Sequence, residues 1–407
     1  MNSTRIAFFL PALPAGGLEQ VTLTLARELI TRGYSVDLVL EERRGAYLTR
    51  VPPEIDVIAL DRRSRWSGYP RFLTGWPREG FTHLGGVIGL RPRSIPLHRL
   101  RSLIAYIEQR RPDVMIGALE RVPLLALWAR HIARHRLGLI VAEHSTFSRR
   151  LAAREQDERA YAIMAHRRDL MQRLYPSADA VVAVSDGVAD DLAQAIELDR
   201  SAITTIYNPV VSQGLRERAR ETVEHPWFGP DAPPVIITAG RLVAEKALHV
   251  LIEAFATLRA QGRDIHLMIL GEGPQRDALE AQITALGLDP YVAMPGWIDN
   301  PYAWMARSAV FGLSSHVEGL GNSLIEAMAC GCPVVATDCP SGPREILANG
   351  RFGPLVRVGD ASGLALAMAD MLDHPTPRAD LLARAAQFNV DRALDAYQSL
   401  IDKVAPQ

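Results

Sequence analysis

The chain has 407 residues, 48% hydrophobic and 22% charged, with a formal net charge of -1. That length exceeds the ~250–300 residues at which a single core stops growing, so two domains are expected, and the apolar content excludes a disordered polymer. No uninterrupted apolar run reaches the ~18 residues of a bilayer span, and the run before Pro11 is too short for a secretory signal, which makes the cytoplasm the expected compartment.

Strand and helix signals alternate along the whole chain, the pattern of α/β layers built on parallel sheets. Residues 5–10 read as the first strand and 18–32 as an amphipathic helix stopped by Gly33. Further strands read at 36–40, 56–60, 113–117, 139–142, 180–184 and 203–207. The rhythm breaks at Asn208-Pro209, and Pro226, Gly229, Pro230, Pro233 and Pro234 mark a linker over about 209–234. It resumes with strands at 235–239, 265–270, 310–313 and 333–337. The expected division is 1–208, 209–385 and a C-terminal helix at 386–407, for which a return to the first domain is one course open to it. Two doubly wound, Rossmann-like domains facing a central cleft would put the carboxyl ends of both sheets on the ligand.

Four places carry candidate chemistry. Gly16 and Gly17 stand between the first strand and helix, where small residues let an anion approach free helix N–H groups; a plain turn explains them equally well, and the G-x-G-x-x-G fingerprint of a dehydrogenase is absent. Arg241 and Lys246 follow the first strand of the second half. A guanidinium and an ammonium at a sheet's carboxyl edge converge on a diphosphate, the alternative being a solvated pair at a helix start. The chain has 43 arginines and only two lysines, Lys246 and Lys403, so a lysine kept here is notable. Glu318 lies in a Gly-rich turn, and Glu326 follows among Leu324, Ile325, Ala327 and Met328. A carboxylate on so apolar a helix needs a partner, and sugar or ribose hydroxyls supply one. His144 closes the strand 139–142, at a carboxyl end again. Cys330, Cys332 and Cys339 have no zinc spacing and read as buried thiols at a helix end and the start of a strand.

The ordered set G-R-L-x-x-x-K from Gly240, L-G-E-G-P from Leu270, E-G-x-x-N-x-L-I-E-A-M-A-x-G-x-P-V-V-A-T-D from Glu318 and S-G-P-R-E-I from Ser341 resembles the retaining nucleotide-sugar glycosyltransferases of the GT-B fold, family four. The likeness covers nearly the whole chain and is dense from Gly240 to Asp360. It implies that Arg241 and Lys246 hold a donor diphosphate, that Glu318 contacts the donor sugar and that Glu326 grips the ribose. It also implies donor contacts from Gly271 and Glu272, backbone contacts from Gly319, Leu320, Gly321 and Asn322, closure of the Gly16-Gly17 loop over the phosphates, and support of the transferring sugar by His144. Two departures stand out: Ala247 where many members have Gly, and Gly321 where many have Pro.

The resemblance implies transfer from a UDP-type donor to an acceptor hydroxyl with retained configuration, no cofactor and no metal, the first domain binding the acceptor. A nucleotide-sugar epimerase on the same fold and a catalytically silent sugar-nucleotide-binding protein are the rival readings. One segment falls outside the motifs. Between Arg43 and Arg136, 18 arginines face 7 acids, and Trp66, Tyr69, Arg71, Phe72 and Trp76 alternate rings with guanidinium groups. Such a patch suits an anionic leaflet and a lipid-linked saccharide acceptor, with the protein peripheral on the inner face of the cell membrane; packing of the rings within their own domain is the alternative. Nucleic acid is not an expected partner, because no matching module is present.

Overall fold

A computed structural model of the chain describes residues 4–14, 16–61 and 95–406. It divides into two compact units, Met1–Tyr207 with Ala393–Gln407, and Asn208–Arg392. The boundary falls one residue from the expected break, at the Asn208-Pro209 dipeptide.

The first unit is built on a seven-stranded parallel sheet of order β3-β2-β1-β4-β5-β6-β7. The strands are β1 (Arg5–Leu10), β2 (Ser35–Leu40), β3 (Asp56–Ala59), β4 (Val114–Ala118), β5 (Gly138–Glu143), β6 (Ala180–Ala183) and β7 (Ile203–Thr205). The central strands are buried along their length, as parallel strands covered on both faces must be, and for that reason they read as unbroken apolar runs. Against Phe8, Leu10, Ile116 and Ala142 pack Val21, Leu25 and Leu29 of the helix Gly17–Thr31, together with Leu394, Tyr397 and Ile401 of the C-terminal helix Val390–Val404. The tail thus completes the first unit's core.

The second unit repeats the plan with a six-stranded parallel sheet of order β10-β9-β8-β11-β12-β13. Its strands are β8 (Val235–Ala239), β9 (His266–Leu270), β10 (Val292–Gly296), β11 (Val310–Leu313), β12 (Val334–Thr337) and β13 (Leu355–Val356). Leu251, Phe255 and Leu258 of the helix Leu248–Ala260 and Leu364 and Met368 of the helix Ala361–Asp373 fill one face. The stretch 209–234, expected as a linker, holds the helix Gln213–Arg218 and is tied to this unit: Val211 bridges Asn389, and Arg218 pairs with Asp299 at 2.9 Å.

In each sheet the chain starts in the middle and reverses its direction of travel, between β1 and β4 and between β8 and β11. Doubly wound sheets bind ligands at the carboxyl end beside that reversal. The residues following β8 and β11 are those that the motifs single out. No helix among the described residues is long and apolar enough to cross a membrane.

Candidate active site

The loops after β8 and β11 are stitched together before any ligand is considered. His316 N donates to the Glu245 carbonyl at 2.8 Å, and Ser314 Oγ to the Lys246 carbonyl at 2.9 Å. Lys246 Nζ reaches Glu318 Oε1 at 2.6 Å, and Ser315 Oγ donates to the same oxygen at 2.7 Å. Thr337 Oγ1, closing β12, donates to the Ser315 carbonyl at 2.6 Å. Thr238, Gly240, Arg241, Lys246, Ser314 and Ser315 line the resulting indentation. Arg241 lies on its rim, exposed, and its guanidinium has no hydrogen-bond or ion-pair partner among the described residues. A bare guanidinium, an ammonium with N–H groups to spare and a carboxylate therefore meet at one sheet edge, a set suited to a phosphate beside a hydroxyl-bearing group.

Glu326 sits in the helix Asn322–Ala329. Burial pushes its carboxyl up to about 7, against the opposing pull of Lys246 and of a hydrogen bond from Tyr302. Asn322, opening the same helix, accepts from Asn208 Nδ2 at 2.9 Å. Gly321 before it has φ +101, a conformation closed to the proline common at this position in the resembling family. Ala247, the other departure, has φ 46 and is buried, so here an alanine occupies left-handed backbone. Gly271 has φ +137, and a Cβ there would stand 1.9 Å from the Gly240 carbonyl oxygen, so only glycine lets the L-G-E-G-P loop lie against the G-R-L turn. Glu272 pairs with Arg276 at 2.8 Å.

In the first unit Gly16 precedes the helix Gly17–Thr31 in extended conformation, and a side chain on it would meet the Glu19 carboxylate at 2.5 Å. His144 follows β5. Its Nδ1 is buried with no partner, and burial holds the imidazole down to about 4, hence neutral near pH 7. It borders an apolar recess lined by Phe8, Leu10, Leu25, Ala142 and Tyr397. The segment after it is clamped twice. Asp191 accepts from Phe147 N at 2.5 Å and Ser148 N at 3.1 Å, and Glu120 accepts from Arg150 Nη1 at 2.6 Å and Arg167 Nη1 at 3.0 Å. Burial works against ionised Glu120, yet the two arginines hold its carboxyl below the usual range. Neighbouring Glu143, fully buried and bonded to Tyr175 Oη, is pushed up by burial and by the Glu120 charge.

Trp66, Tyr69, Arg71, Phe72 and Trp76 lie outside the described residues. Cys330, Cys332 and Cys339 are buried free thiols, and burial with the nearby Glu318 charge pushes Cys339 up to about 12. Among the described residues no group of three or more His, Cys, Asp or Glu is arranged to hold a metal ion. Sequence reasoning passed over Ser314, Ser315 and Thr337, whose contacts are made by neighbouring strands, and Tyr302, which meets Glu326 from a separate helix, Pro301–Met305.

Comparison with known proteins agrees with this geometry. Residues 220–388 match the family described as glycosyl transferases group 1, and residues 15–213 match glycosyltransferase family 4. The chain is 35% identical over 204 residues to the N-acetylgalactosamine-N,N'-diacetylbacillosaminyl-diphospho-undecaprenol 4-alpha-N-acetylgalactosaminyltransferase of Campylobacter jejuni, over 50% of this chain and 53% of that one. It is 36% identical over 177 residues to the lipopolysaccharide core biosynthesis glycosyltransferase LpsE of Rhizobium meliloti, over 42% and 51%. The chain thus spans about half the length of the curated relatives it matches. Its fold is similar to that of Anabaena HepE, solved with UDP and glucose, at TM-score 0.74 and 22% identity over 98% of this chain and 99% of that one. Sucrose-phosphate synthase of Thermosynechococcus elongatus is alike at TM-score 0.75 and 20% identity, over 98% of each chain.

Proposed function

The chain belongs to the family 4 glycosyltransferases of the GT-B fold, and from that premise we propose that it moves a glycosyl unit from a UDP-type nucleotide sugar to an acceptor hydroxyl with its anomeric configuration kept. The acceptor we infer is a lipid-linked saccharide of bacterial polysaccharide or lipopolysaccharide assembly. The observation that carries the reading is the meeting of unpartnered Arg241 with the Lys246–Glu318 pair at the carboxyl edge beside the β8/β11 reversal. Two relatives, one a transferase acting on a diphospho-undecaprenol saccharide and one a glycosyltransferase of lipopolysaccharide core biosynthesis, support the acceptor class.

The chemistry follows from where charge appears. As the bond from the anomeric carbon to the diphosphate breaks, negative charge grows on the departing oxygens. Arg241 offers a bidentate fork and Lys246 a point charge, both carried at the sheet edge where that charge develops. Glu318 faces the sugar hydroxyls and Glu326 the ribose. In this reading the two cations meet the leaving-group charge without a metal, and His144, neutral near pH 7, accepts or donates one hydrogen bond to the sugar. The step needs no covalent nucleophile: the acceptor hydroxyl attacks the face that the diphosphate leaves and gives its proton to the departing phosphate oxygen.

The test is a panel of nucleotide sugars screened in EDTA buffer by thermal shift and by release of UDP or GDP, with lipid-linked and soluble saccharides as acceptors. Acceptor-dependent UDP release from at least one UDP-sugar is expected. Release with GDP-sugars alone would correct the donor, and UDP-sugar isomerisation without acceptor would replace transfer by epimerisation.

A further inference from the structure

We propose that Ser315 is a positioning residue that keeps Glu318 aimed at the donor sugar while Lys246 turns to the diphosphate. The proposal rests on the reading of Glu318 as the sugar contact. Glu318 Oε1 takes two donors, Lys246 Nζ at 2.6 Å and Ser315 Oγ at 2.7 Å, while its Oε2 has no partner among the described residues. The two donors differ in kind. Lys246 swings on a four-carbon stem, and its ammonium is drawn to any phosphate that arrives; the pair it makes is partly exposed, at 21% for the lysine and 11% for the glutamate side chain. A carboxylate held by that ammonium alone would follow it or turn to solvent.

Ser315 has no such freedom. It is fully buried, its carbonyl accepts from Thr337 Oγ1 at 2.6 Å, and the adjoining Ser314 Oγ holds the Lys246 carbonyl at 2.9 Å. Its hydroxyl therefore projects from backbone pinned between β12 and the turn at Lys246 that follows β8. One carboxylate oxygen is retained by a rigid donor and the other is left for the sugar. The same hydrogen bond lets Lys246 leave without taking Glu318 with it, so the grips on phosphate and sugar become separable.

The variants are Ser315→Ala, Ser315→Cys, Glu318→Ala and the double variant Ser315→Ala with Glu318→Ala. UDP affinity is read by calorimetry, and kcat by UDP release from the UDP-sugar that wild type turns over fastest. Ser315→Ala is expected to keep UDP affinity within about threefold and to lose about 10- to 100-fold in kcat, the scale of a lost hydrogen bond to a charged group. Ser315→Cys, with a weak donor, should fall between. On the Glu318→Ala background, Ser315→Ala should cost less than about twofold more. Where that background falls below detection, the ratio of UDP-sugar to UDP affinity gives the same comparison. Unchanged kcat in Ser315→Ala, loss of UDP affinity in step with kcat, or an additive loss in the double variant overturns the proposal. Full turnover in Glu318→Ala would instead overturn the sugar-contact reading on which it rests.

Discussion

Glu318 and Glu326 are both carboxylates near one lysine, yet they stand in different surroundings and should fail differently. Glu318→Gln is expected to abolish transfer while leaving UDP binding nearly intact, whereas Glu326→Gln should weaken UDP itself; calorimetry with UDP on both variants decides between separate and shared roles. Glu326 adds a pH signature. If Glu326 grips the ribose as proposed, only its ionised form can accept both hydroxyls, and with its carboxyl at about 7 that form grows about tenfold between pH 6 and 8. The gain in UDP affinity over that range should therefore be larger in wild type than in Glu326→Gln, which retains only the titration of UDP. For stability the sign is opposite: the folded chain keeps a proton that the unfolded chain releases near 4.5, so this group's contribution is present at low pH and is lost as pH rises through about 7. The two departures from the family pattern are backbone matters. Gly321→Ala has room for its methyl, 3.5 Å from Ile346 Cδ1, and should cost the ~1–2 kcal/mol of left-handed backbone. Ala247→Gly relieves about that strain but forfeits a buried methyl worth ~0.8 kcal/mol, so urea unfolding should show little net change.

Elements differ in how plainly the sequence announces them. β8, β9, β11 and β12 are apolar runs bounded by turns, and the donor-side motifs fall within about a hundred residues, so that edge was legible residue by residue. β10 was not, because Val292–Gly296 carries Pro295 and Gly296, residues that mark loops, and the two-residue β13 is too short to show a period. The polar cluster beside His144 was illegible for another reason: Glu120, Arg150 and Arg167 belong to three separate elements and meet only when the first unit folds. Glu120→Ala removes the buried carboxylate to which Arg150 and Arg167 both donate. About 3 kcal/mol of stability should go with it. A lowered thermal midpoint with UDP affinity unchanged at 25 °C is the expected result. An equal loss of UDP affinity would mean that the two units do not fail separately.

At the scale of the molecule, two sheets of the same plan carry different chemistry: cations and paired acids after β8 and β11, a neutral histidine after β5. What the sequence adds beyond the described residues is the basic, aromatic segment containing Trp66 and Arg71. Binding to vesicles containing anionic phospholipid, weakened by high salt and by Trp66→Ala with Arg71→Glu while soluble-donor hydrolysis persists, is expected if the acceptor is lipid-linked. Indifference to such vesicles at low ionic strength would favour a soluble acceptor. The central claim is that Arg241 and Lys246 receive the diphosphate as it leaves, and the direct measurement is kcat/KM for donor turnover in Arg241→Ala and Lys246→Ala. Each should lose ~2–4 kcal/mol of transition-state stabilisation, about 10^2 to 10^3 in rate. Turnover close to wild type in both variants would contradict it.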